Sequence, residues 1–249
     1  MNPNFIDLYC ERIGQGFWNE PANAITNIVF IAAALFAWRV LKKRENSDIW
    51  EKLIVCLAGM IGIGSFLFHT FATTWAAQAD IIPIWAFVVS YALLASYRLG
   101  EKQIGKTLAI VSVTILSIGV AKFLTFQLLD TTTTPINDVV GMFGGNAQAY
   151  QEAHGALLNG SEQYLPAVIA LLIFTGISFV MEHPARSYFA IASALFCTSL
   201  FFRTIDIVSC AATHGLGTHF LWHTINGFVV ALLLLALIKT MPPENARRH

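Results

Sequence analysis

Apolar residues in this chain gather into seven continuous runs, at roughly 22–42, 50–71, 79–98, 105–127, 163–182, 187–209 and 217–239, with short polar stretches between them. Each run is close to the ~20 residues a helix needs to cross the ~30 Å hydrocarbon layer of a bilayer. A membrane barrel would instead show alternation over about ten residues per strand. The pattern predicts an all-α fold class, an integral membrane seven-transmembrane helix bundle. It is expected to form a single domain over residues 1–249, with an N-terminal segment at 1–21 and one long connection at 128–162. The opening MNPNFIDLYCERIG has no basic start and no apolar stretch before a cleavage site, so the first run is expected to direct insertion itself.

Charge supplies the orientation. Only 12% of the 249 residues are charged, against about 25% in a soluble domain, which excludes disorder, a coiled coil and a nucleic-acid binder with a basic face. Twelve of the fifteen Lys and Arg follow the odd-numbered runs: Arg39, Lys42, Lys43, Arg44 and Lys52, then Arg98, Lys102 and Lys106, then Arg186, then Lys239, Arg247 and Arg248. Basic loops stay on the cytoplasmic side, so the N-terminus is expected outside and the C-terminus in the cytoplasm. The outer connection carries Thr131 to Pro135 and Gly144-Gly145-Asn146, turn-forming stretches that predict irregular structure, with a short surface helix near 147–158. Asn159-Gly160-Ser161 fits a glycosylation acceptor.

Ionisable residues inside spans are costly and mark function. Here they are His69, Asp80, Lys122, Arg203, Asp206, His219 and His223. Lys122 is expected to snorkel to the outer interface. The topology places the other six in the outer half of the bilayer, at one depth. Residues four apart share a helix face, so His219 and His223 present two imidazoles together, and Ser65 sets a hydroxyl beside His69. Three histidines with one open position is the coordination of a catalytic zinc, whose bound water acidifies to a pKa near 7. Asp80, eleven residues after His69, is placed to supply a carboxylate, and the competing reading makes it an N-cap of span three. Arg203 and Asp206, three apart, are expected to form a structural ion pair. Cys10 and Cys210 both face outside, where an oxidising compartment permits a disulfide; two free thiols are the alternative.

These residues resemble the alkaline ceramidases, within a wider group of seven-span hydrolases related to adiponectin-receptor-like proteins. The resemblance rests on Gly62-Ile63-Gly64-Ser65-Phe66-Leu67-Phe68-His69, Asp80 with Pro83, and His219-Phe220-Leu221-Trp222-His223. Cys10-Glu11, the run from Glu20 to Asn27, and Asp206-Ile207-Val208-Ser209-Cys210 add to it. It implies zinc on His69, His219 and His223, Asp80 as general base on the zinc-bound water, and Ser65 as a polar neighbour orienting the reacting carbonyl. The implied reaction is hydrolysis of ceramide to a sphingoid base and a fatty acid. Family members also hold calcium in the segment before the first span, which makes Asp7, Glu11 and Glu20 its candidate ligands here. The spacing from Glu11 to Glu20 is shorter than the family's, and Ile81 stands where an acidic residue is expected beside Asp80.

Other classes are distinguishable. A haem-binding electron carrier would use two histidines on facing helices and leave the third, and Asp80, unexplained. A retinal protein needs a Lys midway along the last span, whereas Lys239 sits at its inner end. An adiponectin-receptor-like lipid receptor shares the scaffold, and only release of fatty acid from a defined lipid separates it from a hydrolase. The expected partners are the bilayer and a ceramide-like membrane lipid, with no nucleic acid and no required protein partner.

Overall fold

The structure is a computed structural model that describes residues 5–44, 46–129 and 157–243. Among the described residues eight α-helices follow in order: α1 (Pro21–Thr26), α2 (Ile28–Lys42), α3 (Ile49–Phe71), α4 (Thr74–Leu99), α5 (Ile104–Leu129), α6 (Leu165–Val180), α7 (Arg186–Thr204) and α8 (His219–Thr240). A 3-10 segment, Leu157–Tyr164, leads into α6. Helices α1 and α2 together make one span, so seven helical segments are long and apolar enough to cross a membrane. The chain is a multi-pass integral membrane protein of the all-α class. The expected surface helix near 147–158 falls almost wholly outside the described residues, as does the side chain of Lys122.

Consecutive helices pack side by side, from α2 with α3 through to α7 with α8, and α8 closes the ring against α2. The interior is apolar, built on residues such as Phe30, Ile54, Phe87, Phe189, Leu234 and Leu237. Large apolar side chains also point outward along the spans, among them Leu35, Leu53, Leu93, Leu116 and Phe228. In water this would be an aggregation surface; in lipid it is the outer wall.

Two span boundaries differ from expectation. The third span starts at Thr74 rather than near 79, because extended Thr73 is the N-cap and the Ala-containing turn that follows favours helix without being strongly apolar. Asp80 therefore lies inside α4, and the reading of it as an N-cap is corrected. Span six ends at Thr204, well before 209, because Asp206 leaves the helix to serve a different partner, described below.

At one end of the bundle, residues 5–20 fold back over the helix ends. Ile6 donates its N–H to the Ala72 carbonyl at 2.8 Å, and Ile6 and Tyr9 bury against Phe68, Ala76 and Ile81. Cys10 is disulfide-bonded to Cys210, with Cα atoms 5.4 Å apart. The opposite end is held by charge. The Arg98 guanidinium donates to Asp48 Oδ2 and Glu51 Oε1, each at 2.7 Å, and to the Met241 carbonyl at 2.5 Å. Arg44 pairs with the other oxygen of Glu51 and reaches the Ile238 carbonyl at 2.8 Å. Glu51 is fully buried and also completes a capping box with Asp48 at the start of α3.

Candidate metal centre

The three histidines expected to act together do converge. The ring nitrogens that His69, His219 and His223 offer all lie within 4.8 Å of one another, and all three residues are buried. His69 Nε2 and His223 Nε2 are 3.2 Å apart. Among the described residues this is the one group of three or more His, Cys, Asp or Glu able to hold a metal ion. Ring closure of the bundle makes it: α8 is the last helix, yet it packs on α2, and the short α1 touches both α3 and α8.

The neighbours of each imidazole hold its ring in place. His69 Nδ1 lies 2.5 Å from Glu20 Oε2, leaving Nε2 turned toward the other two rings. A metal-ligating histidine usually donates its second N–H to a carboxylate or carbonyl in this way. Glu20 is itself bound by the Arg12 guanidinium and by Asn23 Nδ2 at 3.0 Å. Burial would raise the Glu20 carboxyl, but His69 and Arg12 outweigh it and hold the group below its usual 4.5. His223 Nδ1 is 3.2 Å from Thr26 Oγ1. His219 lies flat against Tyr9, centroids 3.6 Å apart, and its Nδ1 is buried with no protein partner. A buried ring nitrogen without a partner is costly unless something occupies it.

Asp206 positions His219. Its Oδ1 accepts the N–H groups of Thr218 at 2.7 Å and His219 at 2.9 Å, and Oδ2 accepts that of Cys10 at 2.9 Å. It caps α8 from outside the helix, where a negative charge also complements the helix dipole. Gly217, at φ +68°, lets the chain pass this carboxylate; a Cβ there would overlap Asp206 Oδ1. The expected ion pair with Arg203 does not occur among the described contacts. Arg203 instead donates to the Asn159 carbonyl at 2.5 Å and to Ser161 Oγ at 3.1 Å, and its guanidinium lies over Tyr164. The Asn159 amide donates to the Arg203 carbonyl at 3.1 Å.

Asp80 and Ser65 share the wall of a cavity with His219 and His223. Two sequence features bring them together. Pro83 has no N–H to bond the carbonyl four residues back, that of Ala79, and Gly64 packs against this same carbonyl, where a Cβ would clash with backbone. The close crossing of α3 and α4 sets Ser65 as the side-chain hydrogen-bonding neighbour of Asp80, while Asp80 Oδ1 is buried and unpartnered. The cavity has about 1050 Å³ of empty space, counting its open mouth, and apart from these groups its lining is mostly apolar.

Asp7, Glu11 and Glu20 do not converge as a ligand group. Glu11 spends its two oxygens on the backbone N–H groups of Ala22 and Asn23, at 2.7 and 2.8 Å, and Arg12 already sits on Glu20 with a further bond to the His69 carbonyl at 2.8 Å. A fixed cation thus stands where the resemblance implied calcium. Tyr9 and Arg12 carry no motif in the sequence that marks them as neighbours of the histidines. Comparison with family models, with curated proteins and with solved structures finds no match to this chain.

Proposed function

We propose that this protein is an intramembrane zinc-dependent amide hydrolase that cleaves a ceramide-like lipid into a sphingoid base and a fatty acid, with the histidine end of the bundle on the outer side of the membrane. The observation that carries this reading is the convergence of three buried imidazoles beside an unpartnered carboxylate oxygen in an apolar cavity. Three nitrogen ligands suit zinc, and the partnerless His219 Nδ1 together with the carboxylate on His69 fits a ligand set awaiting a cation. Zinc held there would polarise the amide carbonyl and acidify a water to a pKa near ~7.

The chain's own groups supply the rest. Asp80 takes up a proton on its free oxygen and delivers it to the leaving nitrogen, within reach of general acid–base catalysis. Ser65 steadies the Asp80 carboxyl. The apolar walls hold the lipid chain and exclude bulk water. A haem reading would leave one of the three converging imidazoles unused.

The test is fatty-acid release from N-acyl sphingoid bases in mixed micelles, read together with metal content. Wild type should carry about one zinc per chain, and His219→Ala should lose metal and activity together. Asp80→Asn should keep its metal and lose at least about 100-fold in turnover. Because Thr73 is the N-cap, this variant removes no helix cap. Near-normal turnover in metal-loaded Asp80→Asn, or no hydrolysis by metal-loaded wild type, would sink the reading.

A further inference from the structure

The cavity runs lengthwise down the bundle. Its lining extends along α4 from Asp80 to Ala92, along the 3-10 segment and α6 from Tyr164 to Phe174, and along α8 from His219 to Leu233. Counted inward from Asp80, Tyr164 and the deeper imidazole, His223, to Tyr91, Phe174 and Leu233, the depth is about 16, 15 and 15 Å at 1.5 Å per helical residue. Below the level of Asn226 the lining is apolar except for Tyr91, and the Tyr91 hydroxyl is committed: it donates to the Leu233 carbonyl at 3.0 Å. Beneath that bond Ala95, Leu99, Leu234 and Leu237 are fully buried, so the tunnel ends on packed core.

We infer that Tyr91, braced on Leu233, is the floor of a tunnel for one unbranched hydrocarbon chain and sets the longest chain the protein takes. The occupant follows from the shape. An apolar cavity of this depth, whose uncommitted polar groups lie at the imidazole end, suits an alkyl chain whose polar end stays at the imidazoles. An extended backbone advances about 3.5 Å over three bonds. A saturated chain has similar bond geometry, so about 16 Å accommodates a chain of about 14 carbons. A longer chain must push against close-packed side chains, and overpacking of that kind costs about 5- to 150-fold in affinity. That the carbonyl end sits at the histidines rests on the hydrolase reading; the length limit does not.

The experiment measures equilibrium binding of radiolabelled saturated free fatty acids, 10 to 20 carbons long, to the full chain in detergent. The same acyl series on a fixed sphingoid base is measured for hydrolysis. Affinity should climb to about 14 carbons and fall at least about fivefold by 18. Tyr91→Ala should move the ceiling several carbons longer, while Tyr91→Phe, which keeps the ring, should leave it in place. Val230→Phe, about one turn above Leu233, should shorten it by about four carbons and does not depend on the Ala variant folding. A ceiling in binding without hydrolysis supports the floor and sinks only the hydrolase reading. A wild-type affinity that is flat or still rising at 18 carbons overturns the inference, as does a ceiling that neither Tyr91→Ala nor Val230→Phe moves.

Discussion

Asp206→Asn tests whether one buried carboxylate aligns the candidate metal centre from outside it. The side chain has no solvent exposure, and its two oxygens accept three backbone N–H groups, from Thr218, His219 and Cys10. An Asn with its oxygen in the Oδ1 position keeps the Thr218 and His219 bonds and turns its NH2 toward the Cys10 N–H, losing one bond; the opposite flip loses two. The lost bond to a charged acceptor is worth about 1.5–3 kcal/mol, and the remaining two drop to the strength of neutral bonds, roughly half. The sum is about 3–6 kcal/mol, large for a single polar change. Reversible unfolding in mixed detergent micelles, followed by circular dichroism, reads the loss. Metal titration should show the same stoichiometry as wild type with weaker affinity, because Asp206 orients His219 without binding the ion. Stability within about 1 kcal/mol of wild type would refute the account, and so would loss of the metal stoichiometry in folded protein.

Gly64→Ala should destabilise by at least about 2 kcal/mol and depress turnover, because its methyl meets the Ala79 backbone carbonyl. Gly59→Ala is the control, with only an ordinary 3.6 Å contact to Ala34, and should stay within about 1 kcal/mol of wild type; equal behaviour of the two in thermal unfolding would contradict the close crossing. Glu20→Gln should weaken metal binding by about 10- to 100-fold. Its stability loss should depend on pH: the Glu20 carboxyl is held below 4.5 in the fold, so its contribution is present above that pH and fades as pH falls through the lower folded value. Unfolding curves of wild type and Glu20→Gln should therefore converge in acid, and a gap that widens there would contradict the pairing with His69 and Arg12.

The spans were legible because the bilayer demands long unbroken apolar runs, and His219 and His223 because four-residue spacing fixes two side chains on one helix face. His69 joined them through topology alone, since outgoing and returning spans share a depth. What the sequence concealed lies in the irregular segments. Glu20 looked like a calcium ligand, and only the fold-back of residues 5–20 shows it braced between Arg12 and His69. Asp206 looked like a partner for Arg203 three residues away, but the end of α7 at Thr204 breaks the periodicity on which that reading stood. Tyr9 carried no signal of stacking on His219, because a contact across more than two hundred residues leaves no local pattern.

The charged cluster of Arg44, Asp48, Glu51 and Arg98 bears on leakage. A membrane protein with a polar mouth at one end and a cavity reaching toward its middle risks becoming a conduit for protons. The barrier beneath the cavity is the packed layer of Leu234, Leu237, Ala95 and Leu99, which offers no polar group to a file of water. Behind it the Arg98 guanidinium is neutralised by Asp48 and Glu51, so the charges that close this end are committed to one another. The carboxylates that surround Arg98 hold it in place between three helix ends. Reconstituted vesicles should stay as tight to protons as lipid alone, which lets the bundle open a polar cavity to one face of a membrane without discharging it.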